Sequence, residues 1–179
     1  MNITNNKNNK NDNLPQVYIA CLSAYNSGYL HGAWCDATDE DIIRETIKEV
    51  LKTSPVSDAE EYAVHSYENF YGFDLGEYPN ISELVEAAQF THEHGHLGAE
   101  LLMHFNDIEY AKKAMEEHYQ GEYTSLEDYA YYLVKDTMEV PENIEPYFDY
   151  EKFGRDMELS GDIFIIEIGY RNIHVFWNF

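Results

Sequence analysis

Apolar and polar positions change period several times along this chain. Residues 17–24, VYIACLSA, are apolar and β-prone, a turn signal follows at Asn26, Ser27 and Gly28, and residues 29–36 complete a predicted hairpin. Thr38 and Asp41 stand in capping-box spacing ahead of a segment in which Ile43, Ile47, Val50 and Leu51 share one helical face. Ser54-Pro55 ends that helix, and residues 62–67 alternate again as a third strand. The order β-β-α-β predicts a small antiparallel sheet with one helix over it. Gly72, Gly76 and Pro79 then mark a boundary.

Beyond the boundary the period is helical, with segments at 82–94, 97–105 and 107–119. Asn106 and Glu109 have capping-box spacing, and Ile108, Ala111, Met115 and Tyr119 form an apolar face. Gly121 ends the run. Ser125 opens another helix, with Leu126, Tyr129, Ala130 and Leu133 on one face, and Pro141 and Pro146 break it. A short helix at 149–158 leads through Ser160-Gly161 into strands 162–168 and 172–178, joined at Gly169. The predicted class is α+β. Its expected parts are an N-terminal α+β subdomain at 16–78, a central helical one at 79–120 and a C-terminal one at 121–179, strung as an elongated chain. Residues 1–15 are Asn-rich and are expected to be a disordered tail.

Composition adds two facts to this picture. Hydrophobic residues make up 44% and aromatics 15%, so the chain can bury a core, unlike a disordered acidic tail. Against that stand 11 Lys+Arg and 34 Asp+Glu, a net charge of −23. Such a field repels nucleic acid and anionic membranes and attracts basic proteins. Duplex DNA carries one charge per ~1.7 Å, so 23 charges match ~39 Å of duplex. A folded chain of this length has a diameter of about 40 Å, so its charge per unit length approaches that of DNA. No run is long enough to span a membrane, and Cys21 and Cys35 read as reduced core residues of a cytoplasmic protein.

The distribution of charge is more informative than its sum. Between Lys52 and Lys112 lie 59 residues without Lys or Arg. That stretch holds Asp58, Glu60, Glu61, Glu68, Asp74, Glu77, Glu83, Glu86, Glu93, Glu100, Asp107 and Glu109, and Glu116 and Glu117 follow shortly after. Solvated surfaces normally mix signs, because like charges at helical spacing cost stability. Unrelieved repulsion over this length implies that the field itself is used. These fourteen carboxylates are the candidate functional residues.

A rival reading starts from His92, His94, His96 and His104, which could serve a metal-binding or hydrolytic enzyme, with Glu93 or Glu100 joining them. On a helix ending near Gly95, His92 and His94 would point about 160° apart, and imidazoles there would instead cap helix carbonyls. There is no nucleophile elbow, no phosphate-binding glycine pattern and no calcium loop. No catalytic residue, cofactor or metal is therefore assigned. A third reading is an acidic binding module for some other basic DNA-binding protein. The aromatics of residues 120–179 exceed what a small subdomain can bury, which suggests a self-association surface.

Three segments, VYIACLSAYNSGYLHGAW at 17–34, LLMHFNDIEYAKKAMEEHY at 101–119 and YFDYEKFGRDMELSGDIF at 147–164, resemble the ArdA antirestriction family in sequence, order and distance. Tyr150, Gly154, Arg155, Asp156, Leu159 and Gly161 are the most specific part, and the likeness runs from about residue 16 to 176. The resemblance implies a non-enzymatic protein of mobile genetic elements. Such a protein imitates bent duplex DNA, forms an elongated homodimer, needs no cofactor and occupies the DNA-binding groove of type I restriction–modification enzymes. It transfers no catalytic residue.

Overall fold

The computed structural model describes residues 14–179, so the tail expected at 1–15 lies, but for Leu14 and Pro15, outside the described residues. Packing divides the chain into two units, the first ending at Met103 and the second running from His104 to Phe179. Both contain a small antiparallel sheet with helices, which makes the class α+β.

In the first unit β1 (Gln16–Cys21) is the central strand, with β2 (Gly32–Asp36) and β3 (Tyr62–Glu68) antiparallel on either side. Val17, Ile19, Cys35 and Val64 pack against Ile43 and Ile47 of α2 (Glu40–Lys52), and Phe70, Leu84, Val85 and Ala88 close the same core. Fully burying side chains of this size stabilises the fold by ~1.5–3 kcal/mol each. A handful of them can offset substantial like-charge repulsion at the surface.

Two local expectations fail here. The link from β1 to β2 is not a tight turn but begins as a short helix, α1 (Leu22–Asn26). Ala24 is fully buried beside Cys21 and Val50, and that packing overrides the β-propensity of the run. The cap of α2 is Asp39 rather than Thr38: its carboxylate accepts from the Asp41 and Ile42 amides, while the Thr38 hydroxyl donates to Asp36.

The long helix α3 (Ile81–Phe105) is broken at Gly95, whose φ of 59° and ψ of −138° are non-helical. The two expected helical segments are therefore real, as two arms on either side of the break. The arms press together at Gly98, where an added Cβ would sit 3.0 Å from the Phe90 carbonyl oxygen and 3.0 Å from the His94 Cβ.

In the second unit α4 (Ile108–Lys113) runs into a single π-helical turn, Ala114–His118. Its cap is Asp107, not Asn106. The helix expected to reach residue 119 stops there, because Tyr119–Tyr123 forms a strand, β4, that the sequence reading did not expect. Tyr119 lies opposite Phe176, and its ring packs on that ring at 5.1 Å. Helices α5 (Leu126–Thr137) and α6 (Tyr150–Ser160) are capped by Ser125 and Asp149. Strands β5 (Ile163–Gly169) and β6 (Asn172–Trp177) complete a sheet of order β4-β6-β5. Tyr129 and Met157 cover Ile163, Ile173 and Val175 on one face. Gly154 lets α6 approach α5 closely, since a Cβ there would lie 2.6 Å from the Leu126 carbonyl oxygen. Tyr131 and Tyr132 remain exposed on α5 while Tyr129 is buried, because within a single helical turn the three side chains point in different directions.

Candidate functional site

The candidate carboxylates sit on nearly every kind of element. Asp58, Glu60 and Glu61 lie between α2 and β3, Glu68 ends β3, and Asp74 and Glu77 lie between β3 and α3. Glu83, Glu86 and Glu93 are on the first arm of α3 and Glu100 on the second. Asp107 caps α4, Glu109 is in its first turn, and Glu116 and Glu117 are in the π turn. Twelve of the fourteen are exposed, and Glu86 and Glu100 are half-buried. Ten fall in the first unit and four in the second. On the first arm of α3, Phe90 is buried and turned to His94.

Their partners separate two groups. Some carboxylates are engaged: Asp74 accepts from the Gly76 amide and the Tyr67 hydroxyl, which hold its carboxyl below the usual range. Asp107 accepts from the Glu109 and Tyr110 amides, Glu100 meets His96 at 3.2 Å, and Glu109 meets Lys112 at 3.3 Å. Glu117 lies 3.8 Å from His118. The other group is Asp58, Glu60, Glu61, Glu68, Glu77, Glu83, Glu93 and Glu116, all exposed. These side chains form no hydrogen bond or ion pair among the described residues. Outside the cation-free stretch several carboxylates are paired, Glu40 with Arg44, Glu49 with Lys52, Glu145 with Lys135 and Glu151 with Arg155.

The reading by cation gaps misses a further set. Glu127, Asp136, Glu139, Glu142, Asp156 and Glu167 of the second unit are also exposed and without an ion pair among the described residues. The signal available for all of them but Glu167 was arithmetic: residues 121–160 contain only Lys135, Lys152 and Arg155 as cations.

The histidines do not converge. His94 meets the Phe90 ring edge-on, His96 stacks on Tyr71 and pairs with Glu100, and His104 stacks on Phe164. None of these rings caps a helix carbonyl among the described residues, which corrects that expectation. The His-Glu-x-x-His order of zinc peptidases, expected to be absent, is present in residues 92–96, His-Glu-His-Gly-His. That motif needs both imidazoles on one face of a continuous helix. Here Gly95 breaks the helix between His92 and His96 and puts them on different arms. Among the described residues no group of three or more His, Cys, Asp or Glu side chains is placed to hold a metal ion. No described helix is long and apolar enough to cross a membrane.

Two small α+β units carrying a run of exposed acidic side chains, many without an ion pair among the described residues, define an acidic α+β protein. The family model described as "Antirestriction protein (ArdA)" matches residues 17–172. That span covers most of the 179 residues, and the chain belongs to the ArdA family of antirestriction proteins. No curated protein matches it.

Proposed function

We propose that this antirestriction protein acts as a DNA mimic that fills the DNA-binding groove of a type I restriction–modification enzyme and inhibits it without catalysis. The observation behind this reading is the set of exposed, unpartnered carboxylates along a stretch with no Lys or Arg. A groove that binds duplex DNA is lined with cations that meet phosphates, and those contacts supply most sequence-independent affinity. Carboxylates held free of internal partners can meet the same cations. Because they copy backbone rather than bases, inhibition is not tied to one recognition sequence. The protein needs no cofactor in this role, works in the cytoplasm, and offers nothing to methylate or cut.

A homodimer with an elongated, three-part subunit belongs to the same proposal, as does carriage on mobile genetic elements. Two subunits of −23 repel, so apolar surface must hold them, and exposed Tyr131, Tyr132 and Tyr147 are available. The decisive experiment is competition: the purified protein should displace duplex DNA from a type I methyltransferase core stoichiometrically, in the presence of chelator and less effectively as salt rises. If DNA stays bound at equimolar inhibitor and low salt, mimicry is wrong.

A further inference from the structure

The sheet of the first unit is guarded on one edge only. At β3 the Val64 amide donates to the Glu77 carbonyl at 3.0 Å, so the loop before α3 covers that edge. At β2 no strand or loop does so among the described residues. The direction of its backbone follows from two bonds: the His31 carbonyl accepts from the Cys21 amide at 3.0 Å, and the Ala37 amide donates to the Pro15 carbonyl at 2.9 Å. In an antiparallel pair the inward-bonding residues alternate along the strand. His31, Ala33, Cys35 and Ala37 therefore face β1. Gly32, Trp34 and Asp36 turn their amides and carbonyls to the open side, where they meet no partner among the described residues.

The open edge also forms one wall of a cleft. The opposite wall is a stripe of α2, Ile42, Glu45, Thr46 and Glu49, and the volume between is about 430 Å³. His31 closes one end by donating from Nε2 to the Val50 carbonyl at 2.8 Å. Trp34 is 43% exposed and packs on Tyr18 at 5.5 Å, giving an apolar surface beside the free backbone. Among the described residues no Lys or Arg lines the cleft. Glu49 is bonded to Lys52 at 3.1 Å, but the Glu45 carboxylate has no partner among the described residues.

We infer that β2 is a docking edge for an extended peptide segment carrying Lys or Arg, which adds to the sheet as a fourth strand. Main-chain bonds to Gly32 and Trp34 give affinity, and the alternate side chains of the guest enter the cleft, where Glu45 and Glu49 select for positive charge. The cleft's Glu45 and Glu49 favour a basic guest over a second copy of this chain, whose 34 Asp+Glu outnumber its 11 Lys+Arg. This inference stands apart from the mimicry reading: it concerns one edge and a protein segment, not the dispersed carboxylates.

The test uses the full chain, isotope-labelled, with three peptides: alternating Lys-Val repeats, the same peptide methylated at alternate backbone nitrogens, and alternating Glu-Val repeats. The basic peptide should slow hydrogen exchange at the Gly32, Trp34 and Asp36 amides. Methylation removes main-chain donors and should weaken binding roughly tenfold or more. Glu45→Gln with Glu49→Gln, both on exposed positions, should weaken binding severalfold while leaving the melting temperature in place. The acidic peptide should not bind. Equal binding of the methylated peptide would show attraction by charge alone and overturn the inference. So would absence of protection at millimolar basic peptide, binding of the acidic peptide, or protection that rises with protein concentration and no peptide, which would make a second copy the guest.

Discussion

Mimicry of a polyanion makes a quantitative claim about how inhibition responds to charge removal. The perturbation is a graded series of Glu→Gln and Asp→Asn changes within Asp58, Glu60, Glu61, Glu68, Glu77, Glu83, Glu93 and Glu116, which are exposed and unpartnered. One ion pair across a hydrated surface is worth roughly 0–1 kcal/mol, so a single change such as Glu83→Gln should weaken inhibition by at most about fivefold. Six such changes, at about half a kcal/mol each, should weaken it by roughly two orders of magnitude. The fold should not suffer, since these groups form no ion pair to lose, and relief of repulsion should hold or raise the melting temperature. A matched control removes as many charges from Glu40, Glu145 and Glu151, which are bonded to Arg44, Lys135 and Arg155. The assay is inhibition of DNA binding by a type I methyltransferase core, with thermal melts of each variant. If position matters, the control triple should weaken inhibition less than Glu60→Gln, Glu83→Gln and Glu93→Gln combined. One substitution that abolishes inhibition in a folded protein, while six-fold variants remain active, would refute a distributed surface and point to a conventional hot spot.

Four further outcomes test the fold. Gly154→Ala should destabilise the second unit by about 1–3 kcal/mol, read by denaturant melts, because its Cβ would meet the Leu126 backbone at 2.6 Å. Tyr129 is 2% exposed, and its buried hydroxyl has no hydrogen-bond partner among the described residues. Tyr129→Phe should therefore be neutral or stabilising by up to about 1 kcal/mol, and a loss greater than that would reveal a missed hydrogen bond. Burial also pushes the Tyr129 phenol up to about 12, so one tyrosine should stay protonated in ultraviolet titrations until the protein unfolds. Burial lowers the affinity of His174 for a proton below its ordinary value of 6.5. The unfolded chain then binds more protons, so this group contributes stability above that value and loses it as pH falls. His174→Asn should flatten the fall in melting temperature between pH 7 and pH 5, and an unchanged slope would remove His174 as its source.

Much of the fold was legible because local signals agreed. Helices α2, α5 and α6 combine an apolar stripe with Asp or Ser at the start, and all three lie close to the expected positions. The caps slipped by one where two capping residues stand side by side, Thr38-Asp39 and Asn106-Asp107. The sequence does not say which side chain the preceding backbone will turn inward. Strand β4 was illegible for another reason: Tyr119 and Tyr123 continue a helical pattern, and only partners some fifty residues away, such as His174 at 2.7 Å from the Tyr119 hydroxyl, make them a strand. The carboxylates could be listed from the absence of neighbouring cations. Their division into engaged and free groups needed coordinates, because Asp74 and Asp107 are taken up by local amides. The His-Glu-x-x-His order shows the opposite hazard, a pattern present in the letters and dismantled by one glycine.

That glycine has a consequence for how such a surface can change over time. Acidic side chains held in water are interchangeable parts: moving one by a position, or exchanging Asp for Glu, alters a sum only slightly. The elbow of α3 has no such tolerance. Its backbone at Gly95 lies where side chains are rarely accepted, and a methyl group at position 98 would meet the Phe90 carbonyl oxygen at 3.0 Å, so that one arm has to give way slightly. Under the proposed mimicry, exchanges among the exposed charges leave the surface's role in place, whereas a side chain at position 95 or 98 strains the bend between the arms that carry Glu93 and Glu100.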